Sequence, residues 1–429
     1  MTKLEEKREI IEKIDKKMAE LFIERMDSAK FIAEYKRENN LPIYDSKREE
    51  ELINKNKGYI GDPVIRHYYE RFLKAEMDIS KSYQQSLNTN GIHVDTDSPY
   101  DVIIERGLLL NAKEYLNLDR KVLIITDSGV PIEYSRIIEG MSKEPFIFTI
   151  ERGEASKSIE NYESVLSYMV DKGFRRDDCI VAVGGGVVGD LSAFIASTYM
   201  RGIDFYNIPT TLLSMVDSSV GGKTGIDFNG VKNIVGSFYQ PKCVLIDPNV
   251  LYSLDKREFN AGLVEAYKMG LTFYKDLALL IEKSDDIDND IDEIIRRSIS
   301  IKAVVVEEDT KESGIRSALN FGHTLGHAFE ASSNGKLLHG EAVGLGMLYI
   351  SEGVVKEHIL SFLKKYNLPT EIKYDKNEIL YLIERDKKAK TGGDIKVVLS
   401  PEIGKYKFEM WDISKIEEVL WTHLVTILN

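Results

Sequence analysis

The chain has 429 residues, a formal charge of −13 and ordinary soluble proportions, 43% apolar and 30% charged. That length suffices for two or three domains with a sizeable core, and the acidic balance argues against a general nucleic-acid binder while leaving room for local basic pockets. Two cysteines far apart in sequence exclude a disulfide framework and point to a reducing cytoplasm; no apolar run long enough for a membrane span is present.

The opening "MTKLEEKREIIEKIDKK" lacks the apolar centre of a secretory leader. From Lys3 to about Arg37, Ile11, Ile14, Met18, Leu21, Phe22, Ala29 and Ile32 keep helix spacing. The pattern is long for a globular helix and predicts bundle or coiled-coil-like packing. "NNLPIYD" breaks it, and a second helix is predicted from near Asp45. "GYIGDP" breaks the pattern again, with Asp62 as N-cap and Pro63 at the first position of a third helix running to Leu87. Residues 1–87 therefore read as an all-helical domain, and the turn-rich 88–98 as a linker.

After it the texture changes. "KVLIITD", "PFIFTI", "CIVAVGGG", "FYNIPT" and "CVLID" are short apolar runs separated by helical segments, which predicts a parallel sheet in an α/β domain over 99–254. From Asp255 onward helical periodicity returns, giving a mainly helical domain over 255–429 with "IKVVL" as a hairpin arm.

Gly184, Gly186 and Gly189 stand in G-x-G-x-x-G spacing between a strand and a helix. This is either a pyrophosphate cradle or a tight turn without a ligand. Downstream, Arg201, Thr210, Thr211, Asp217, Lys223, Lys232 and Asn233 crowd glycine-rich stretches, as phosphate sites require; singly, each could be a solvated loop residue. In "NFGHTLGHAFEASSNGKLLHGEAVG", His323 and His327 share a helix face at i, i+4, with His339 twelve residues on. Glu265 is an acid in an apolar helical stretch, with Lys268 one turn later. These groups read either as a metal site or as hydrogen-bonded core residues, and spacing does not choose the ligands.

From residue 98 onward, "GGGVVGDLSAFIASTYMRGIDFYNIPTTLLSMVDSSVGGKTGID", "GVKNIVGSFYQP", "GLVEAYK" and "LNFGHTLGHAFE" with "LLHGEAVGLGM" resemble 3-dehydroquinate synthase. The resemblance implies an NAD-binding α/β domain, a helical metal-binding domain and an active site in the cleft. It implies Glu265, His323 and His339 as ligands of a divalent metal, zinc with cobalt as the alternative. His327 would handle protons near the substrate phosphate. Lys223, Asn233 and one of Lys387 and Lys388, taken here as Lys388, would bind that phosphate, with Arg201 from the partner subunit. Lys302 and Arg316 would hold the substrate carboxylate; Lys268, Asp217 and Asn320 would contact hydroxyls; Glu312 would accept a proton. For NAD it points to Asp127, Glu154, Lys157, Gly185, Gly186, Asp190, Thr210, Thr211 and Lys232. The implied reaction converts 3-deoxy-D-arabino-heptulosonate 7-phosphate to 3-dehydroquinate by oxidation, β-elimination of phosphate, reduction and aldol closure, with NAD regenerated. Asp255, where proline is common, and Ala261, where asparagine or serine is more usual, depart from the pattern and concern the cofactor side of the cleft.

In the head, "REIIEKID", "ERMDSAKFIAEYK", "PIYDSKREEEL" and "ISKSYQQ" resemble the all-helical class of chorismate mutase. Its Claisen rearrangement needs a folded dianion and stabilised charge on the ether oxygen, with no nucleophile. The resemblance assigns Arg8 (from the partner of an intertwined dimer), Arg25 and Arg48 to carboxylates, Lys36 and Gln84 to the ether oxygen, and Asp45, Glu49 and Ser80 to hydroxyl and carboxylate contacts. The expectation is a bifunctional, cytoplasmic homodimer of aromatic amino-acid biosynthesis acting on small molecules, with neither nucleic acid nor membrane as partner. The alternative is a different sugar-phosphate cyclase with a silent, dimerising head.

Overall fold

The computed structural model describes residues 2–38, 46–88, 91–390 and 394–428. They form two compact units, residues 1–91 and 92–429.

The first unit is helical: α1 (Lys3–Glu38), α2 (Ser46–Lys57) and α3 (Pro63–Asn88). Asp62 caps α3, accepting from the Val64 and Ile65 amides at 2.8 and 3.1 Å. Small residues let α1 approach α3: Ala29 and Ala33 are buried with Leu73 and Met77. The 36-residue α1 has more apolar surface than this unit covers. Ile11, Ile14, Leu21 and Phe31 stay exposed along it, as do Val64, Tyr68 and Phe72 on α3.

The second unit begins with β1 (Gly91–Val94), β2 (Tyr100–Ile104), β3 (Lys121–Asp127), α4 (Ile132–Met141), β4 (Glu144–Ile150), α5 (Ile159–Asp171), β5 (Cys179–Gly184), α6 (Gly186–Thr198) and β6 (Asp204–Pro209). β7 (Lys223–Phe228), β8 (Val231–Phe238) and β9 (Cys243–Ile246) follow. Seven strands make one sheet in the order β1-β2-β9-β6-β5-β3-β4. The pairings of β2 with β9, β9 with β6, β6 with β5, β5 with β3 and β3 with β4 are all parallel. Every residue of β5 is buried, as a strand covered on both faces must be. The chain leaves β3 to one side for β4 and returns to the other for β5. The carboxyl ends of β3 and β5 therefore flank a crevice, the position where doubly wound sheets hold ligands.

The rest is helical: α7 (Lys256–Thr272), α8 (Lys275–Lys283), α9 (Ile287–Glu308), α10 (His323–Ser332), α11 (His339–Ile350), α12 (Gly353–Lys365), α13 (Lys376–Lys390) and α14 (Ile413–Leu428). The hairpin arm expected at "IKVVL" is β10 (Ile395–Glu402), antiparallel to β11 (Lys405–Trp411).

Two expectations need correcting. The stretch read as a linker contains β1, whose Ile92 and Val94 are buried; the polar residues around this short strand hid it. The glycine-rich stretch around Lys223 and Lys232 is an antiparallel hairpin, β7 with β8. Its second strand is largely exposed, so it carries no alternation of apolar and polar residues to announce it.

Candidate active sites

Helix α7 is buried continuously from Phe259 to Thr272, so the two charged residues of that stretch must answer each other. Glu265 and Lys268 are each 1% exposed, and Lys268 Nζ donates to Glu265 Oε2. The other oxygen, Glu265 Oε1, is buried and has no hydrogen-bond partner. It lies 3.5 Å from His339 Nε2 and 4.0 Å from His323 Nε2. Both histidines open their helices, α11 and α10. His323 Nδ1 lies 3.2 Å from the Phe321 carbonyl and His339 Nδ1 lies 3.0 Å from Glu330 Oε2. An acceptor on Nδ1 holds the proton there and turns the Nε2 lone pair inward.

This constellation suits a divalent cation. Two donors each about 2.1 Å from a tetrahedral zinc stand about 3.4 Å apart, close to the Glu265–His339 spacing. An orphaned buried carboxylate oxygen needs a positive partner. Burial alone would lift the Glu265 carboxyl; Lys268 and the two imidazoles outweigh it and hold it well below the usual range. Burial, with Lys268, also keeps His323 a neutral imidazole. His339, between two carboxylates, is raised to about 10 against burial, so the local field there favours positive charge. His327 is exposed, and its donor atom lies within 4.8 Å of those of His323 and His339. The three imidazoles therefore form one cluster, and it is the orphaned oxygen that favours Glu265 in the ligand set.

Close helix approach fixes this spacing. A Cβ on Gly340 would lie 1.9 Å from the Ala261 carbonyl oxygen, and one on Gly346 would lie 2.0 Å from that of Gly322. Ala261 is thus buried at the α7–α11 contact, one turn before Glu265. Asp255 caps α7, accepting from the Arg257 amide at 2.9 Å. Both departures support the helix that carries Glu265.

Around this centre lie paired charges. Lys302 Nζ donates to Asp217 Oδ1 at 2.5 Å. Lys223 pairs with Glu312, whose Oε1 accepts from Asn320 Nδ2 at 2.7 Å. Burial opposes the Glu312 carboxylate, but Lys223 and Asn320 hold it below the usual range. Arg316, 1% exposed, donates to the carbonyls of Thr310 at 2.6 Å and Gly221 at 3.0 Å. Gly221 has φ +106 and lies against the guanidinium, leaving no room for a Cβ. Seven non-glycine residues among those described have positive φ; four are asparagines, and the others are Met200, Arg201 and Glu312. Asparagine adopts this conformation readily in turns, whereas at Arg201 and Glu312, both predicted site residues, it is strain of the kind that persists at functional sites.

At the sheet's carboxyl edge, Asp127 ends β3 and accepts from the Gly129 amide at 2.7 Å. Gly185 precedes α6, whose first turn has no side-chain cap, and the Thr210 amide donates to the Gly184 carbonyl at 2.9 Å. A Cβ on Gly185 would meet the Thr211 side chain at 2.9 Å. Gly186 and Asp190 lie in the first turns of α6, and open amides there suit an anion. Lys157 is buried and lies 2.7 Å from Asp190 and 3.6 Å from Glu154; burial lowers its basicity, and the two carboxylates more than restore it.

The other predicted residues of this unit lie between or beyond these groups. Asn233 accepts from Lys157, beside Asp190, whose carboxylate also feels the Lys223 ammonium. Lys232 lies 2.7 Å from Glu330 and also feels the Glu154 carboxylate, so it stands between the two groups. Arg201 follows the far end of 13-residue α6, about 20 Å from Gly186 at about 1.5 Å per residue. Glu330 was missed, although a carboxylate three residues after His327 was a signal to consider.

In the helical unit, Arg25 lies 3.0 Å from Glu76, and its Nη1 is buried with no hydrogen-bond partner. Ser80 is buried, and Arg48 and Lys36 are within or near the surface. Arg8 is about 25 Å from Arg25 along the same helix. Asp45 and the side chains of Glu49, Gln84, Lys387 and Lys388 lie outside the described residues.

Comparison with known proteins agrees with this division. Residues 7–85 match the chorismate mutase type II family model, 147–261 the 3-dehydroquinate synthase N-terminal model and 262–389 the C-terminal one. The 3-dehydroquinate synthase of Streptococcus sanguinis is 40% identical over 356 residues, 78% of this chain and 99% of that protein. A 2-deoxy-scyllo-inosose synthase solved with carbaglucose-6-phosphate, NAD+ and Co2+ superposes with TM-score 0.70 at 25% identity, covering 78% of this chain and all of that one. A 2-epi-5-epi-valiolone synthase from Streptomyces hygroscopicus, solved with NAD+ and Zn2+, gives 0.70 at 26%, covering 76% and 97%.

Proposed function

The chain belongs to the 3-dehydroquinate synthase family, with a type II chorismate mutase domain ahead of it, and from this premise we propose how its two sites are built. The protein is a bifunctional enzyme of the shikimate pathway, a 3-dehydroquinate synthase and a chorismate mutase.

The orphaned Glu265 Oε1, facing two inward imidazoles, carries the synthase reading. Glu265, His323 and His339 hold a divalent cation, zinc or cobalt, and the β3–β5 crevice with the head of α6 holds NAD. When bound, the cation supplies Lewis-acid polarisation and NAD supplies a hydride acceptor that later returns the hydride. Lys302 and Arg316 bind the substrate carboxylate, and Asp217, Lys268 and Asn320 orient its hydroxyls. Lys223 takes the phosphate with Asn233, Lys388 and a partner's Arg201. A phosphate that draws Lys223 away frees the Glu312 carboxylate to accept a proton, and His327 handles a proton beside the phosphate. These residues mainly orient the substrate and exclude alternative geometries.

In the head, the unpartnered Arg25 Nη1 is an edge available to an anion. Arg25, Arg48 and a partner's Arg8 bind the two carboxylates of chorismate, Lys36 and Gln84 steady the ether oxygen, and Asp45, Glu49 and Ser80 complete the pocket. The exposed apolar stripes of α1 and α3 and the distance from Arg8 to Arg25 support a homodimer. Two buried, unpaired cysteines support a cytoplasmic, reducing setting.

Phosphate release tests the substrate assignment. Heptulosonate 7-phosphate is turned over, whereas glucose 6-phosphate and sedoheptulose 7-phosphate are not; turnover of either in its place would reassign the body to another cyclase.

A further inference from the structure

Adjacent residues on β8 reach two different groups. Lys232 Nζ lies 2.7 Å from Glu330 Oε1, and Glu330 Oε2 lies 3.0 Å from His339 Nδ1. Asn233 accepts from Lys157, which is 2.7 Å from Asp190. Asp227, at the end of β7, strengthens the second link: its amide donates to the Lys157 carbonyl and its carboxylate accepts from the Asn233 amide, both at 2.8 Å. Asn233 takes a left-handed backbone (φ +53) where the β7–β8 register is irregular, and β8 touches the metal group with Lys232 and the cofactor group with Asn233.

Glu330 has the geometry of an orienting residue. One oxygen fixes the tautomer and rotation of His339; the other is held by Lys232, so the orientation depends on where the hairpin sits. We propose that Glu330 is a positioning residue of the metal centre, and that Lys232 and Asn233 on β8 link it to the cofactor group, so that NAD and the divalent cation each raise the other's affinity. The inference rests on the reading of the two groups given above. A ligand contacting Lys157 and Asp190 settles Asn233 and the hairpin; the hairpin settles Lys232, Glu330 and His339. Linkage then requires the coupling to be reciprocal.

The test uses the full chain stripped of metal. Zinc affinity is measured by competition with a chromophoric chelator, with and without saturating NAD, and cobalt(II) visible spectra report ligand geometry. The wild type binds zinc more tightly with NAD. Glu330→Ala loses about 10- to 100-fold in zinc affinity and shifts the cobalt spectrum, in a metal-free chain that still unfolds cooperatively; Glu330→Asp recovers part of both. Lys232→Met abolishes the NAD dependence. Wild-type zinc affinity indifferent to NAD overturns the coupling, and an unchanged affinity and spectrum in Glu330→Ala overturns the positioning role. A wild type that binds no zinc at all overturns the metal assignment itself, and this inference with it.

Discussion

Replacing Gly340 by alanine tests whether helix approach sets the metal site. The added Cβ would lie 1.9 Å from the Ala261 carbonyl oxygen, 1.1 Å short of the 3.0 Å below which real contacts do not occur. Both partners are main chain inside buried helices, so no rotamer change relieves the clash; α7 and α11 must separate. Gly340 adjoins His339, and Ala261 lies one turn before Glu265. The two ligands, now 3.5 Å apart, therefore move apart by a comparable amount, several times the ~0.2 Å a metal site tolerates. Overpacking of this kind costs about 1–3 kcal/mol of stability, and zinc affinity should fall at least about tenfold, the scale on which disturbed ligand support acts. The control is Gly140→Ala in α4, where a Cβ meets nothing within 4 Å; zinc affinity should stay unchanged and stability should hold or rise by up to about 1 kcal/mol. Chelator competition and thermal unfolding read the two effects. Wild-type zinc affinity in the folded Gly340→Ala chain would refute the reasoning.

Three further outcomes are expected. Burial, helped by Arg316 and Lys268 and opposed by Asp217, pushes the Lys302 ammonium down to about 8, below the unfolded value near 10.4. Its cation is present below pH 8 and lost above it, while fold stability does not fall through this window, because the fold favours the neutral form. Synthase kcat/KM should therefore drop about tenfold between about pH 7 and about pH 9.5, on the scale of a lost charged hydrogen bond, and a flat profile would count against a carboxylate contact. Lys36→Ala should lower prephenate formation by about 100-fold or more with dehydroquinate formation intact; equal loss of both would argue against independent sites. Mixing Arg8→Ala and Lys36→Ala chains should restore about a quarter of wild-type mutase activity if subunits exchange and Arg8 crosses between them, and no recovery on co-expression would place Arg8 outside the partner's site.

Local signals carried the architecture well. The apolar strands of the parallel sheet, the Asp62–Pro63 helix start and the "IKVVL" arm each state their structure in a few consecutive residues. The β7–β8 hairpin does not, because its exposed second strand lacks alternation. Pairings distant in sequence were also invisible: Lys302 meets Asp217 across 85 positions, and Lys232 meets Glu330 across 98. The i, i+4 spacing of His323 and His327 correctly signalled a cluster, yet spacing could not show that the third histidine stands with them or that a carboxylate oxygen from α7 points between. Sequence order also hid the packing roles of Asp255 and Ala261, a cap and a close contact of α7.

The central claim is that one chain holds two independent enzymes, of which only one needs a metal. Purified full-length protein, assayed for both reactions before and after chelation, tests it most directly. The account predicts both activities at the start, loss of dehydroquinate formation on chelation with recovery on adding zinc or cobalt, and unchanged prephenate formation throughout. Dehydroquinate formation that survives complete removal of metal, or a chain that never converts chorismate, would contradict it.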